Sequence, residues 1–76
     1  STYGYYLEAL VVFGNVTGVD PVALGRGECS GLELGMSRGQ AQALQQVAHD
    51  ELASAGVSLR MPAGITPPRR ASACRR

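Results

Sequence analysis

Apolar residues recur at helical spacing in two stretches of the chain and at every second position in a third. From about Thr2 to Phe13, Tyr6, Leu7, Leu10, Val11 and Phe13 place apolar groups one turn apart, with Ser1 or Thr2 available as a cap. Only Glu8 and Tyr5 in this segment obviously want water. A helix that is apolar almost all round is either the hub of the core or offers a second apolar face to a partner. Gly14, Asn15 and Gly18 are expected to end it.

A second, short helix is predicted from Pro21 to about Leu24. Asp20 can accept from its first amides, Pro21 sits where no backbone N–H is needed, and Val19 can staple onto Leu24. Glycines at 25, 27, 31 and 35 then limit any helix around Cys29 to Leu34 to a turn or two. The clearest element runs from about Arg38 to Ala55. Ser37 and Gln40 form a capping box, Ala41, Leu44, Ala48, Leu52 and Ala55 make one stripe with Val47 beside it, and Gly56 supplies the left-handed stop. Beyond it Val57, Leu59 and Met61 alternate with Ser58 and Arg60, the pattern of a short extended segment laid against the helices. The fold class is therefore all-α: a small three-helix domain over residues 1–61, its first and last helices antiparallel or crossing. The short second helix closes the open end, and 62–76 form an extended, Pro/Arg-rich basic arm.

Size and charge add to this picture. A chain of 76 residues buries only roughly 60% of the surface it exposes when unfolded, so self-association or a partner is expected to help it. The last eight residues hold Arg69, Arg70, Arg75 and Arg76 and no acid, while the rest hold three arginines against six acids: a tail of +4 on a body of −3. That pairing suits a tail that docks on an acidic surface, its own or a neighbour's, or touches phosphate in passing. No apolar run approaches the ~18 residues of a membrane span, and no basic stretch precedes an apolar one as in a secretory leader. An opening at Ser1 is what trimming of an initiator Met leaves. The expectation is a whole cytoplasmic or virion-borne polypeptide, and the absence of Lys beside abundant Ala, Gly and Arg suggests a GC-rich bacterial or phage source.

Candidate chemistry is sparse. Cys29 and Cys74 lie 45 positions apart outside any CxxC, and with the single His49 they do not make a zinc set. Free thiols are expected. His49 and Asp50 are adjacent on a helix and point about 100° apart, so they read as a surface pair rather than as ligands or a base. Gly25-Arg26-Gly27 is followed by an acid, not by the Lys-Ser/Thr of a phosphate loop, and no serine sits in an elbow motif. Asn15-Val16-Thr17 and Arg69-Arg70-Ala71-Ser72 match glycosylation and kinase patterns only by chance. No catalytic, cofactor, metal or small-molecule site is predicted.

The most specific local pattern is Gly31, then Leu34-Gly35-Met36, then Ala41 and Leu44 facing inward. It resembles the turn and second helix of a helix-turn-helix over roughly 16 residues. That resemblance implies Arg38, Gln40 and Gln42 at base edges in the major groove, with the arginine tail on phosphates. A net-negative body opposes it. Tyr3, Tyr5 and Tyr6 crowd four positions, so one or two must face outward, and tyrosine anchors interfaces. The leading expectation is a non-enzymatic protein-interaction protein, a subunit or accessory of a larger assembly such as a phage particle, or a phage-encoded inhibitor. Its docking residues are Tyr3, Tyr5, Tyr6, Arg69, Arg70, Arg75 and Arg76, and its partner is another protein or a further copy of itself. The alternatives are a DNA-binding regulator using Arg38, Gln40 and Gln42, and a stand-alone antagonist that occludes one host protein.

Overall fold

The computed structural model describes residues 1–25, 31 and 34–62. Among the described residues the architecture is helical: α1 (Thr2–Thr17), a 3₁₀ turn (Pro21–Leu24) and α2 (Arg38–Ser54), with no β-strand. The glycine-limited stretch from Cys29 to Leu34 falls mostly outside these residues. So do Cys29, Cys74 and the arm from residue 63 onward, including Arg69, Arg70, Arg75 and Arg76.

Each element begins and ends on local chemistry. Ser1 caps α1, its Oγ accepting from the Gly4 N–H at 3.1 Å. The helix runs through Gly14 to Thr17, a turn beyond the predicted stop. Gly14 keeps helical geometry because it is buried against α2, where a Cβ would run into Leu52 Cδ1, and that close packing outweighs glycine's poor helix propensity. The stop is Gly18, at φ 73°, whose N–H returns to the Gly14 carbonyl at 2.9 Å. Thr17 reinforces it: its hydroxyl donates to the Phe13 carbonyl at 2.7 Å and accepts from the Val19 N–H at 3.0 Å.

The predicted second helix is a single 3₁₀ turn, with Asp20 Oδ1 accepting from the Val22 N–H at 3.0 Å and Pro21 buried at its first position. The capping box of α2 is formed as expected: the Gln40 N–H donates to Ser37 Oγ at 3.1 Å and the Ser37 N–H to Gln40 Oε1 at 2.9 Å. At the far end Gly56 takes φ 84°, its N–H bonds to the Ala53 carbonyl, and the Val57 N–H bonds to the Leu52 carbonyl. Ala55, predicted on the apolar stripe, is exposed because it is already the cap.

The chain after α2 does extend, and it is held at one place. Arg60 donates its N–H to the Gly18 carbonyl at 2.9 Å and accepts the Asp20 N–H at 2.8 Å, a lone parallel bridge beside Val19. The segment therefore lies on the link between α1 and the 3₁₀ turn. Val57 and Leu59 are half-buried, and Met61 is exposed.

α1 and α2 pack on each other, and the 3₁₀ turn packs on both. The core holds Tyr6, Leu10, Met36, Ala41 and Ala48, flanked by Leu7, Val11, Leu24 and Leu44. Ala41 and Ala48, both at 0% exposure, keep the core face of α2 low so that the larger residues of α1 can approach. Between them lies Gln45, also fully buried. Its Nε2 donates to the Gly25 carbonyl at 2.8 Å and to the Tyr6 hydroxyl at 3.2 Å, joining all three elements.

Candidate interaction surface

α1 presents two apolar faces. Tyr6, Leu10 and Gly14 point to the core, and on the far side Tyr5, Ala9, Val12 and Val16 are all exposed. Their 4-3-4 spacing puts them in one row down the helix. The exposure is substantial: 69% for Tyr5, 54% for Val12 and 78% for Val16. Half-buried Phe13 borders the row on one side, Glu8 and Asn15 on the other. Such a row of apolar groups lies on the solvent face of a helix whose opposite face already fills the core, and among the described residues nothing covers it.

Of the three tyrosines grouped as docking residues, Tyr5 belongs to this row. Tyr3 is about half exposed and its hydroxyl accepts from Gln40 Nε2 at 3.2 Å, so it sits at the joint between α1 and the start of α2. Tyr6 is corrected to the core: at 2% exposure its ring packs inward and its hydroxyl meets Gln45.

The helix-turn-helix residues are placed unevenly. Gly35 takes φ 89° and the Met36 N–H bonds to the Gly31 carbonyl at 3.1 Å, the turn that aims α2. Gln42 is exposed and Arg38 half-buried, whereas the Gln40 side chain is held at both ends, by the Ser37 N–H and by Tyr3. A glutamine committed in this way cannot form a bidentate pair with adenine without giving up its cap.

A groove runs between α1 and α2 beside the apolar row. One part, about 340 Å³, is lined by Gly4, Leu7, Glu8, Val11 and Glu51. A neighbouring hollow of about 510 Å³ is lined by Val47, Asp50, Glu51, Ser54 and Ala55. Glu51 lines both. Among the described residues the groove is lined by Glu8 and Glu51 with the apolar Leu7 and Val11, Asp50 lines the hollow beside it on α2, and neither lining includes a basic residue.

His49 is not the solvated neighbour of Asp50 that its place in the chain suggested. Its Nδ1 lies 2.8 Å from Asp20 Oδ2, while Asp20 Oδ1 caps the 3₁₀ turn. The carboxylate can only accept, so Nδ1 carries the proton. One nearly buried aspartate thereby ties α2 to the 3₁₀ turn, and through its N–H to Arg60. The clue in the sequence is that a capping aspartate has a second oxygen, and that His49 stands next to Ala48 at the flank of the apolar stripe. Asp20→Ala should cost about 2 kcal/mol, losing a cap and leaving His49 unpaired. Asp20→Asn, which keeps the cap, should lose less, and urea unfolding of the two variants would measure the difference.

Among the described residues no three His, Cys, Asp or Glu side chains gather closely enough to hold a metal ion. No helix among them is long and apolar enough to cross a membrane. Compared with known proteins, the chain matches no family model, no curated protein and no solved structure.

Proposed function

We propose that this protein works by docking, as a non-enzymatic subunit or accessory of a larger protein assembly, and that the outer row of α1 is its contact. The observation that carries the reading is the row itself. Tyr5, Ala9, Val12 and Val16 are exposed on a helix whose other face is fully used by the core. Burying such a row supplies apolar area that a 76-residue domain is otherwise short of. Tyr5 at its amino-terminal end is the natural anchor. The setting that goes with this reading is the one composition suggests, a phage particle or a phage-encoded inhibitor of a host protein. A DNA-reading role draws less support, because Gln40 is already committed and the body carries more acids than arginines.

Light scattering behind size exclusion tests the reading in its self-assembling form. The full chain should show a mass that rises above 7.9 kDa with concentration. Val12→Asp/Val16→Asp should hold it at the monomer mass while its helical circular dichroism is unchanged, because both positions point away from the core. A chain that stays monomeric at every concentration, or a double variant that assembles as the parent does, overturns that form.

A further inference from the structure

The groove between α1 and α2 has the chemistry of an arginine receptor. Glu8 and Glu51 are exposed carboxylates on opposite helices, and neither makes a side-chain hydrogen bond or an ion pair among the described residues. Leu7 and Val11 line the same groove and give it an apolar side against which a long aliphatic stem can lie. Asp50 in the adjoining hollow accepts from Gln46 Nε2 through Oδ1. A guanidinium matches this setting better than an ammonium, because its planar fork can meet two carboxylates while its stem stays on the apolar wall.

We propose that the occupant of this groove is the chain's own arginine pair, Arg69 and Arg70. Three observations select it. The chain carries no lysine, and four of its seven arginines lie in the last eight residues with no acid among them, so the complementary charge is in the same molecule. The arm starts from a fixed point, because Arg60 is bonded to Gly18 and Asp20. Nine residues from Arg60 to Arg69 can span up to about 30 Å, and Glu8 stands only about 15 Å along α1 from Gly18. Pro67 and Pro68 precede the pair and restrict its backbone, which lowers the entropy lost on docking. Tethering makes the contact intramolecular, so pairs that would be weak between separate molecules can stay formed. Glu8 borders the outer row of α1 without belonging to it, so docking in the groove does not depend on what that row binds.

The native thiol at Cys74 supplies the test. The full chain with Cys29→Ser is isotope-labelled, and a nitroxide is attached at Cys74. Amide signals are then compared between the groove residues Gly4, Leu7, Glu8, Val11 and Glu51 and the outer row at Tyr5, Ala9, Val12 and Val16. Docking predicts that the groove amides lose intensity relative to the outer row. Arg69→Gln/Arg70→Gln and Glu8→Gln/Glu51→Gln should each abolish that loss, as should about 1 M salt, where the screening length falls to about 3 Å. Glu8 and Glu51 are exposed, and the amide spectrum itself reports that each variant is folded. Equal intensity loss on both faces, or a loss that survives the arginine substitutions, overturns the proposal. Groove broadening that appears only when nitroxide-bearing chains without isotope are mixed with labelled chains without nitroxide would overturn it too, in favour of a neighbour's arm.

Discussion

Leu52→Ala should destabilise the fold by about 3 kcal/mol, and Gly14→Ala should change sign in its presence. Leu52 is 2% exposed and is the large side chain that α2 sets against Gly14 of α1. Removing its isopropyl group takes away buried apolar area and leaves a hollow between two helices that are pinned at their ends by caps and by the Arg60 bridge. Partial collapse is all that such a pinned pair can manage. A 76-residue domain holds in total roughly 4–11 kcal/mol. The variant should therefore show a markedly lower urea midpoint, with an unchanged slope.

The same contact decides what a methyl group at position 14 does. In the parent, alanine there would gain about 1 kcal/mol of helix propensity but would run into Leu52 Cδ1, with Cδ2 and Cγ close behind. Leu52 is enclosed and cannot swing clear without leaving its rotamer, so Gly14→Ala should cost about 1–2 kcal/mol net. In the Leu52→Ala background the clash is gone and the space is vacant, so the same substitution should stabilise. A double-mutant cycle of the four proteins should give a coupling on the order of 2 kcal/mol. Additive effects would mean that α1 and α2 do not meet at this point.

What could be read from the sequence was the chemistry that acts within one turn. Ser37 with Gln40, Asp20 before Pro21, and Gly56 after the apolar stripe each bind groups a few residues away, and each forms as expected. Two local misreadings are small, Ala55 as the cap and Pro21–Leu24 as a 3₁₀ turn, and the larger ones involve partners far apart in the chain. Gly14 looks like a stop until Leu52, 38 residues on, is seen to need the space. His49 stands beside Asp50 in sequence and beside Asp20 in space. The all-round apolar character of α1 was legible, and crowding required that some of its tyrosines face outward. Which side met α2 was not legible, because Tyr5 and Tyr6 differ in the pattern only by which phase the partner helix selects. Gln45 was passed over because a glutamine inside an apolar stripe carries no local signal of the carbonyl it will meet.

That glutamine supplies the other large effect. Gln45 is fully buried, its Nε2 is shared between the Gly25 carbonyl and the Tyr6 hydroxyl, and its Oε1 has no partner among the described residues. Gln45→Met keeps the volume. It removes the orphaned Oε1 and strips the Gly25 carbonyl of its donor, two changes that largely offset, so a loss of about 1 kcal/mol is expected. Gln45→Glu keeps the shape and should cost about 3–5 kcal/mol at neutral pH, because a buried carboxylate would face the Gly25 carbonyl. Burial raises the pKa of the introduced carboxyl above its value of about 4.3 in the unfolded chain, so the folded state binds the extra proton more tightly. Stability relative to the parent must then rise as pH falls through the folded pKa and level off below about pH 4, where the carboxyl is protonated in both states. There the protonated group can donate to the Gly25 carbonyl as the amide did. Urea unfolding of parent, Gln45→Met and Gln45→Glu from pH 4 to 8 separates the two accounts. A deficit for Gln45→Glu that does not shrink at low pH would mean that position 45 reaches water and is not the polar joint of this core.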